Sequence, residues 1–319
     1  MDGSTAVFEE LRPLLFSIAY RMVASVADTE DILQEAFLRY HRALADGTDI
    51  VSAKAYLSAV VTRLSIDHLR SARVRRETYV GTWLPEPVVT ESVLTESSLR
   101  GAGPVNPADE ALLADSLSMA FLLLLERLSP VERAVFLLHD VFGFDYTEIA
   151  GVVDKTPQHC RQLAVRARRH VTEHRPRFEA SHAKRNQLAD AFMQTLGEGD
   201  VDTLVSMLAA DVVLHGDSGG ASPSWPRPIV GADKVARLLI SIAQQSAPLG
   251  ITARRVDING QPGAIFFDRD GRVINIFSFE IAGGTVETIR SIINPDKLGH
   301  LGPLADVQGL WRDRHTAGG

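Results

Sequence analysis

The stretch DYTEIAGVVDKTPQHCRQLAVRARRH, residues 145–170, decides the architecture of the middle of the chain. Asp145 follows Gly143 by two residues and precedes Glu148 by three, the spacing of an N-cap whose third helical residue reaches back to it. This predicts a helix over Thr147–Val153. Asp154-Lys155-Thr156 leaves room only for a turn, and Thr156-Pro157 opens a second helix, because proline at the first helical position gives up no intrahelical bond. The spacing is that of a helix-turn-helix. Cys160, Leu163, Ala164, Ala167 and Val171 fall on one face of the second helix, and Gln158, Arg161, Gln162, Arg166 and Arg169 on the other. Small inward residues let the helix sit close to its neighbours, while outward Gln and Arg are side chains that bond base edges and phosphates. The same pattern also suits a plain helical hairpin with a solvated basic face. Cys160 is placed as a small core residue, not a nucleophile.

Upstream, Ser129-Pro130-Val131-Glu132 is a second capping box, and helical patterning spans residues 107–178. Residues 5–76 form a further helical set. Leu11, Leu14, Leu15, Ile18 and Met22 recur at helical steps. A second helix is expected to open at Asp28 as N-cap, with Leu33, Ala36, Phe37 and Tyr40 inward. A third is expected from about Ala53 to Ala72, with Leu57, Val60, Val61, Leu64 and Leu69 inward. Between these sets, residues 77–106 carry Gly81, Pro85, Pro87, Gly101, Gly103 and Pro104 and read as a linker. Its segment YVGTWLPEP, residues 79–87, holds apolar residues that are costly to leave in water, so a cover for it is expected.

Downstream, residues 183–298 change in kind. Two helical stretches, a strand at Val212–His215, a Gly/Ser/Pro-rich loop and a helix from Ala232 to about Gln245 precede strand-like runs at Ile251–Ile258, Ala264–Phe267, Val273–Ile281 and Thr285–Ile293. Helices followed by strands indicate an α+β domain with a curved antiparallel sheet. A cone with an interior pocket is expected, with Phe266, Phe267, Ile276, Phe277 and Phe279 as lining or as simple core.

At 319 residues the chain is too long for one small module. Its 45% hydrophobic content excludes wholesale disorder. The lone cysteine excludes an internal disulfide or a four-cysteine zinc site, no cofactor or metal is expected, and the absence of a long apolar run argues for a cytoplasmic protein without a membrane partner. The net charge of −7 conceals local excess of the opposite sign. Residues 63–76 hold five arginines against Asp67 alone, and 161–177 hold six against Glu173 alone. Two basic clusters on an acidic chain point to local contacts with a polyanion.

DTEDILQEAFLRYH (28–41), AYLSAVVTRLSIDHLRSARVRRE (55–77) and the helix-turn-helix resemble, in order and spacing, regions 2 and 4 of bacterial extracytoplasmic-function (ECF) sigma factors. The later domain resembles the SnoaL-like, ketosteroid-isomerase-type cone. YVGTWLPEP together with NPDKL (294–298) resembles the subgroup of ECF factors that carry this fused domain. The resemblance implies two all-α domains and an α+β cone. Region 2 would occupy 1–76, the linker 77–106, region 4 107–178, the cone 183–298 and a tail 299–319.

It also implies a function: recruitment of core RNA polymerase to promoter DNA, with the cone acting in cis. Asp31, Gln34 and Glu35 would contact polymerase. Arg63, Asp67, His68, Arg70, Arg73 and Arg76 would hold the melted minus-ten element. Gln158, His159, Arg161, Gln162, Arg166 and Arg169 would bind the minus-thirty-five duplex. Trp83, Leu84, Pro85 and Glu86 would meet Asn294, Pro295, Asp296, Lys297 and Leu298 to link the halves, with Leu298 on Trp83 or Leu84 and Lys297 near Glu86. Two departures from the family pattern stand out. Arg63 occupies a position where many ECF factors have Asn, and the Gly-rich DGGGK-like motif reads Asp217-Ser218-Gly219-Gly220-Ala221, without its lysine. Two other readings concern the cone. His215 and Asp217 at a strand end suit a proton-shuttling pair of a cyclase or isomerase, and the cone also suits a sensor for a small-molecule ligand.

Overall fold

Helix-forming residues with strong local caps build the first half of the chain, and a single mixed sheet builds the second. The computed structural model describes residues 3–77, 79, 81–90, 115–174, 181–220 and 227–310, with the side chains of 72–77 and 174 outside the description. The chain divides into two units: residues 1–77 with 91–176, and residues 78–90 with 177–319.

In the first unit, α1 (Gly3–Val23), α2 (Val26–Ala45) and α3 (Ala53–Glu77) pack as a bundle. Leu15, Ile18, Met22, Leu33, Ala36, Leu57 and Val61 are buried, and Phe8 meets Phe37 edge-on at 5.0 Å. The N-cap of α2 is Ser25, not Asp28. Ser25 is extended (φ −134°, ψ 130°) and its hydroxyl accepts from the Asp28 amide at 3.1 Å. Asp28 instead lies in the first turn, where the helix dipole favours a carboxylate. The third helix continues five residues beyond the expected Ala72.

The expected capping boxes both form. Ser129 and Glu132 exchange bonds at the start of α5 (Pro130–Phe136), which follows α4 (Met119–Leu125) and runs on into a π-helical turn, Leu137–Val141. Asp145 and Glu148 do the same at the start of α6 (Tyr146–Val153). Asp154 then turns the chain in the left-handed region (φ 53°), and α7 (Pro157–His174) follows, its His159 amide bonded to Thr156 Oγ1 at 3.2 Å.

In the second unit, α8 (His182–Glu198), α9 (Val201–Ser206) and α10 (Ala232–Ser246) cover one face of a six-stranded sheet. The strands are β1 (Leu208–Asp217), β2 (Ile229–Val230), β3 (Thr252–Ile258), β4 (Gln261–Phe267), β5 (Val273–Ala282) and β6 (Thr285–Ile292), in the order β2-β1-β6-β5-β4-β3. The sheet is mixed rather than antiparallel, because β1 and β6 are parallel. After β1 the chain crosses over through α10 to the far edge and returns as a meander, whose three reversals fix the direction in which β6 arrives beside β1.

The expected pocket lining does not form as one surface. Phe277 and Phe279 share one face of β5, and Ile276 points to the other. Phe277 and Phe279 are buried among the helices with Phe192, and Phe266 packs edge-on to Phe277 at 4.8 Å. The rings fill the helix–sheet layer. An open groove lies elsewhere, lined by Val273, Ile293, Leu298 and Leu304.

Candidate nucleic-acid interface and linker hub

On α7 the inward residues Cys160, Leu163, Ala164, Ala167 and Val171 are all buried, and Gln158, Arg161, Gln162, Arg166 and Arg169 are exposed. His159 is half-buried. Two neighbours shape this face. The Arg161 guanidinium lies 5.4 Å from the centre of the Tyr146 ring, a cation–π contact that limits its wandering. Arg168, absent from the expected set, donates to Asp140 at 2.6 Å and to Tyr146 Oη at 3.2 Å, and the bond to Asp140 holds its pKa up. Arg169 pairs with Glu173 at 2.9 Å on the surface.

On α2, Asp31 and Gln34 are exposed and Glu35 is partly so, with Leu38 one turn further on also exposed. Glu35 accepts from Arg39 at 2.7 Å, which offsets its repulsion with Asp31.

The basic end of α3 is only partly an open surface. Arg63 does not face outward as a free donor; its Nε donates to the Val152 carbonyl at 3.0 Å and its Nη2 to the Gly151 carbonyl at 2.6 Å. These are last-turn carbonyls of α6, which have no intrahelical donor and favour a cation. His68 is drawn to Asp28 at 3.3 Å, while Asp67 and Arg70 form an exposed pair at 3.3 Å. The side chains of Arg73 and Arg76 lie outside the described residues. A complementary arginine crosses the other way: Arg133 of α5, 2% exposed, donates to the Met22 carbonyl near the end of α1 and to Glu126 at 2.8 Å. Burial lowers the pKa of its guanidinium. Arg21, also buried, donates to Ser116 at 2.7 Å. Sequence reasoning missed this set, although both arginines interrupt apolar helical stretches.

In the second unit the linker closes over one end of the sheet. Asp217, the last residue of β1, is 1% exposed and accepts from the Leu84 amide at 2.8 Å, Lys297 Nζ at 2.7 Å, the Gly219 amide at 3.2 Å and the Tyr79 hydroxyl. Lys297 also donates to the Leu84 carbonyl, and its ammonium lies 4.9 Å from the Tyr79 ring centre and 4.6 Å from that of Trp83. Asn294 donates to the Tyr79 hydroxyl at 2.9 Å. Gly219 allows this approach: a Cβ there would meet Asn294 Nδ2 at 2.5 Å. Further along, Val88 and Asn259 exchange bonds at 3.0 and 2.8 Å, and Val89 bridges to Ile258. Leu84, Pro85, Glu86 and Leu298 are buried. The two segments expected to meet are in contact, and Lys297, expected near Glu86, forms an ion pair with Asp217. The Asp217 side chain is fully buried at the strand end, where an uncompensated carboxylate is costly, and the Lys297 ammonium offsets its charge.

The two residues read as a proton-shuttling pair have different surroundings. Both Asp217 oxygens are engaged by the linker and Lys297. His215 is half-buried with Nδ1 unbonded; burial and then the nearby Arg290 lower its pKa, while Arg290 itself pairs with Glu280 at 2.8 Å. Among the described residues no His/Cys/Asp/Glu group is arranged to hold a metal, and no helix is long and apolar enough to cross a membrane.

Comparison with known proteins follows this division. Residues 7–75 match sigma-70 region 2, residues 118–171 match sigma-70 region 4, and residues 189–293 match the SnoaL-like domain. The chain is 38% identical over 318 residues to the ECF RNA polymerase sigma factor SigJ of Mycobacterium tuberculosis, covering 97% of each chain. It is 31% identical over 300 residues to a probable ECF RNA polymerase sigma factor, SigI, of the same species, covering 94% of this chain and 96% of that one. The crystal structure of Mycobacterium tuberculosis SigJ superimposes with a TM-score of 0.69 at 35% identity, covering 94% of this chain and all of that one. The chain belongs to the ECF sigma factors of RNA polymerase, with a SnoaL-like domain fused behind region 4.

Proposed function

We propose that the fused cone controls this sigma factor in cis by holding the linker between its two DNA-binding modules. The observation that carries this is the hub at Asp217. Tyr79, Leu84 and Val88 of the linker are bonded to the cone through Asp217, Lys297, Asn294 and Asn259. A linker fixed in this way has less freedom than a bare tether, so the cone sets which separations of regions 2 and 4 are available on a promoter.

In the same reading, Asp31, Gln34 and Glu35, with Leu38 beside them, dock on core RNA polymerase. The basic end of α3 (Asp67, Arg70 and the Arg73 and Arg76 beyond) holds the minus-ten element, and the outward face of α7 reads the minus-thirty-five element as duplex. Arg63 takes part only once its bonds to α6 are released.

Run-off transcription with core polymerase tests this, using the full chain, a chain ending near residue 178, and Lys297→Met. The latter two are expected to change promoter activity in the same direction. Equal activity of all three would remove the cis role. Failure of every form to initiate would remove the assignment of the promoter contacts.

A further inference from the structure

The exposed face of α7 carries one residue that its chemistry as a phosphate or base-edge binder does not explain. Val165 is 62% exposed. A single exposed apolar residue is ordinary on a protein surface, but the position of this one is not. At 3.6 residues per turn, Arg161 and Gln162 fall about 40° and 60° to either side of it and Gln158 about 20° away. Val165 therefore stands at the centre of the outward face, in a ring of Gln and Arg. Those arginines are drawn off it. Arg161 leans onto Tyr146, Arg168 is taken by Asp140 and Tyr146, and Arg169 turns to Glu173. An isopropyl group is left presented on the same outward face as Arg161, one turn further along the helix.

We infer that Val165 is a specificity-determining residue that packs on the 5-methyl group of a thymine in the minus-thirty-five element. That methyl is the apolar feature of the major-groove edge, and contact with it favours thymine over cytosine at the same position. A β-branched side chain suits the task, since its one strongly preferred helical rotamer holds both methyls in place at little entropic cost. The inference rests on α7 as the minus-thirty-five reader.

The test uses holoenzyme reconstituted from core polymerase and the full chain. A promoter is selected from duplexes randomised over the minus-thirty-five segment, and each thymine of the selected element, on either strand, is replaced singly by deoxyuridine. With the wild-type chain, one replacement is expected to weaken binding about fourfold, the worth of one buried methyl. With Val165→Ala, an exposed helical change that is not expected to disturb folding, the same replacement should have no effect. A wild-type chain indifferent to every replacement, a selected element without thymine, or a Val165→Ala chain as sensitive as wild type would overturn the inference. Arg161→Ala and Arg166→Ala separate the two levels. If neither alters binding, the helix is not the reader; if they do and methyl sensitivity is absent, only the role of Val165 fails.

Discussion

Lys297 and Asp217 form a buried ion pair, Nζ to Oδ2 2.7 Å, with side-chain exposures of 8% and 0%. Each also touches the linker, Lys297 at the Leu84 carbonyl and Asp217 at the Leu84 amide. One linker residue, Leu84, is thus bonded through both its amide and its carbonyl by the two members of one pair. Breaking a buried pair from one side strands the other charge, at about 3–5 kcal/mol. Lys297→Met should fall at the low end, about 3 kcal/mol, because Asp217 keeps two amides and the Tyr79 hydroxyl. Asp217→Asn combined with Lys297→Met should cost less than the two separately, as residues in one network do. Hydrogen exchange of β1 and β6 amides measures both, and strict additivity would show that the pair does not act as a unit.

Tyr79 makes the same hub sensitive to alkali. Burial, together with the bond to Asp217, raises its phenol pKa well above the ordinary value near 10. The folded state therefore keeps this proton to higher pH than the unfolded chain does. The stability it contributes is complete below about pH 10 and is lost as pH rises further. An ultraviolet titration of phenolate should show an ionisation later than that of free tyrosine. Tyr79→Phe should remove that late phase and flatten the fall in stability above pH 10; removal of an ordinary phase instead would contradict the placement of Tyr79.

The contrast between what was legible and what was not follows the range of the interactions. The capping boxes at Ser129 and Asp145, and hence the helix-turn-helix, depend on residues three apart and could be read directly. Even locally, competition matters: Ser25 and Asp28 both suit an N-cap, and Ser25 took the role while Asp28 took the first turn and a histidine. The parallel pairing of β1 and β6 was hidden because alternation along a strand says nothing about which strand lies beside it. The meeting of the linker with residues 294–298 could be proposed because Trp83 and Leu84 need a cover and the turn at 294–298 offers one apolar residue and one cation. The choice of partner could not, since Lys297 has Glu86 and Asp217 equally available on paper and only the fold separates them. The partners of Arg63 and Arg133 were hidden for the same reason: each bonds a helix-end carbonyl on a different helix.

Those two arginines should differ in energy. Arg133 is nearly inaccessible, so Arg133→Met should destabilise the first unit by about 2 kcal/mol by removing its bonds to the Met22 carbonyl and to Glu126. Arg63 is exposed, and Arg63→Ala should cost at most about 1 kcal/mol. It should, however, speed hydrogen exchange at the end of α6, whose last carbonyls it holds. Urea unfolding with exchange readout distinguishes these, and equal losses for both variants would mean that burial does not set their worth.

The outward face of α7 should separate readers from anchors. Arg161 is steadied by Tyr146 and stands near the start of the helix, the part that meets base edges in this motif. Arg161→Ala should cost about 1–3 kcal/mol on the selected element and relax sequence preference. Tyr146→Leu leaves the guanidinium in place but frees it, so its cost should be smaller than that of Arg161→Ala and of the same kind. Arg169 lies further along the helix, exposed and paired with Glu173, and is assigned the role of a phosphate anchor. Arg169→Ala should weaken binding to all sequences alike and reduce the slope of log affinity against log salt by about 1. Holoenzyme binding to selected and scrambled duplexes over a salt series measures all three. Identical losses on both duplexes for Arg161→Ala would remove direct readout, and an unchanged salt slope for Arg169→Ala would take that residue off the phosphates.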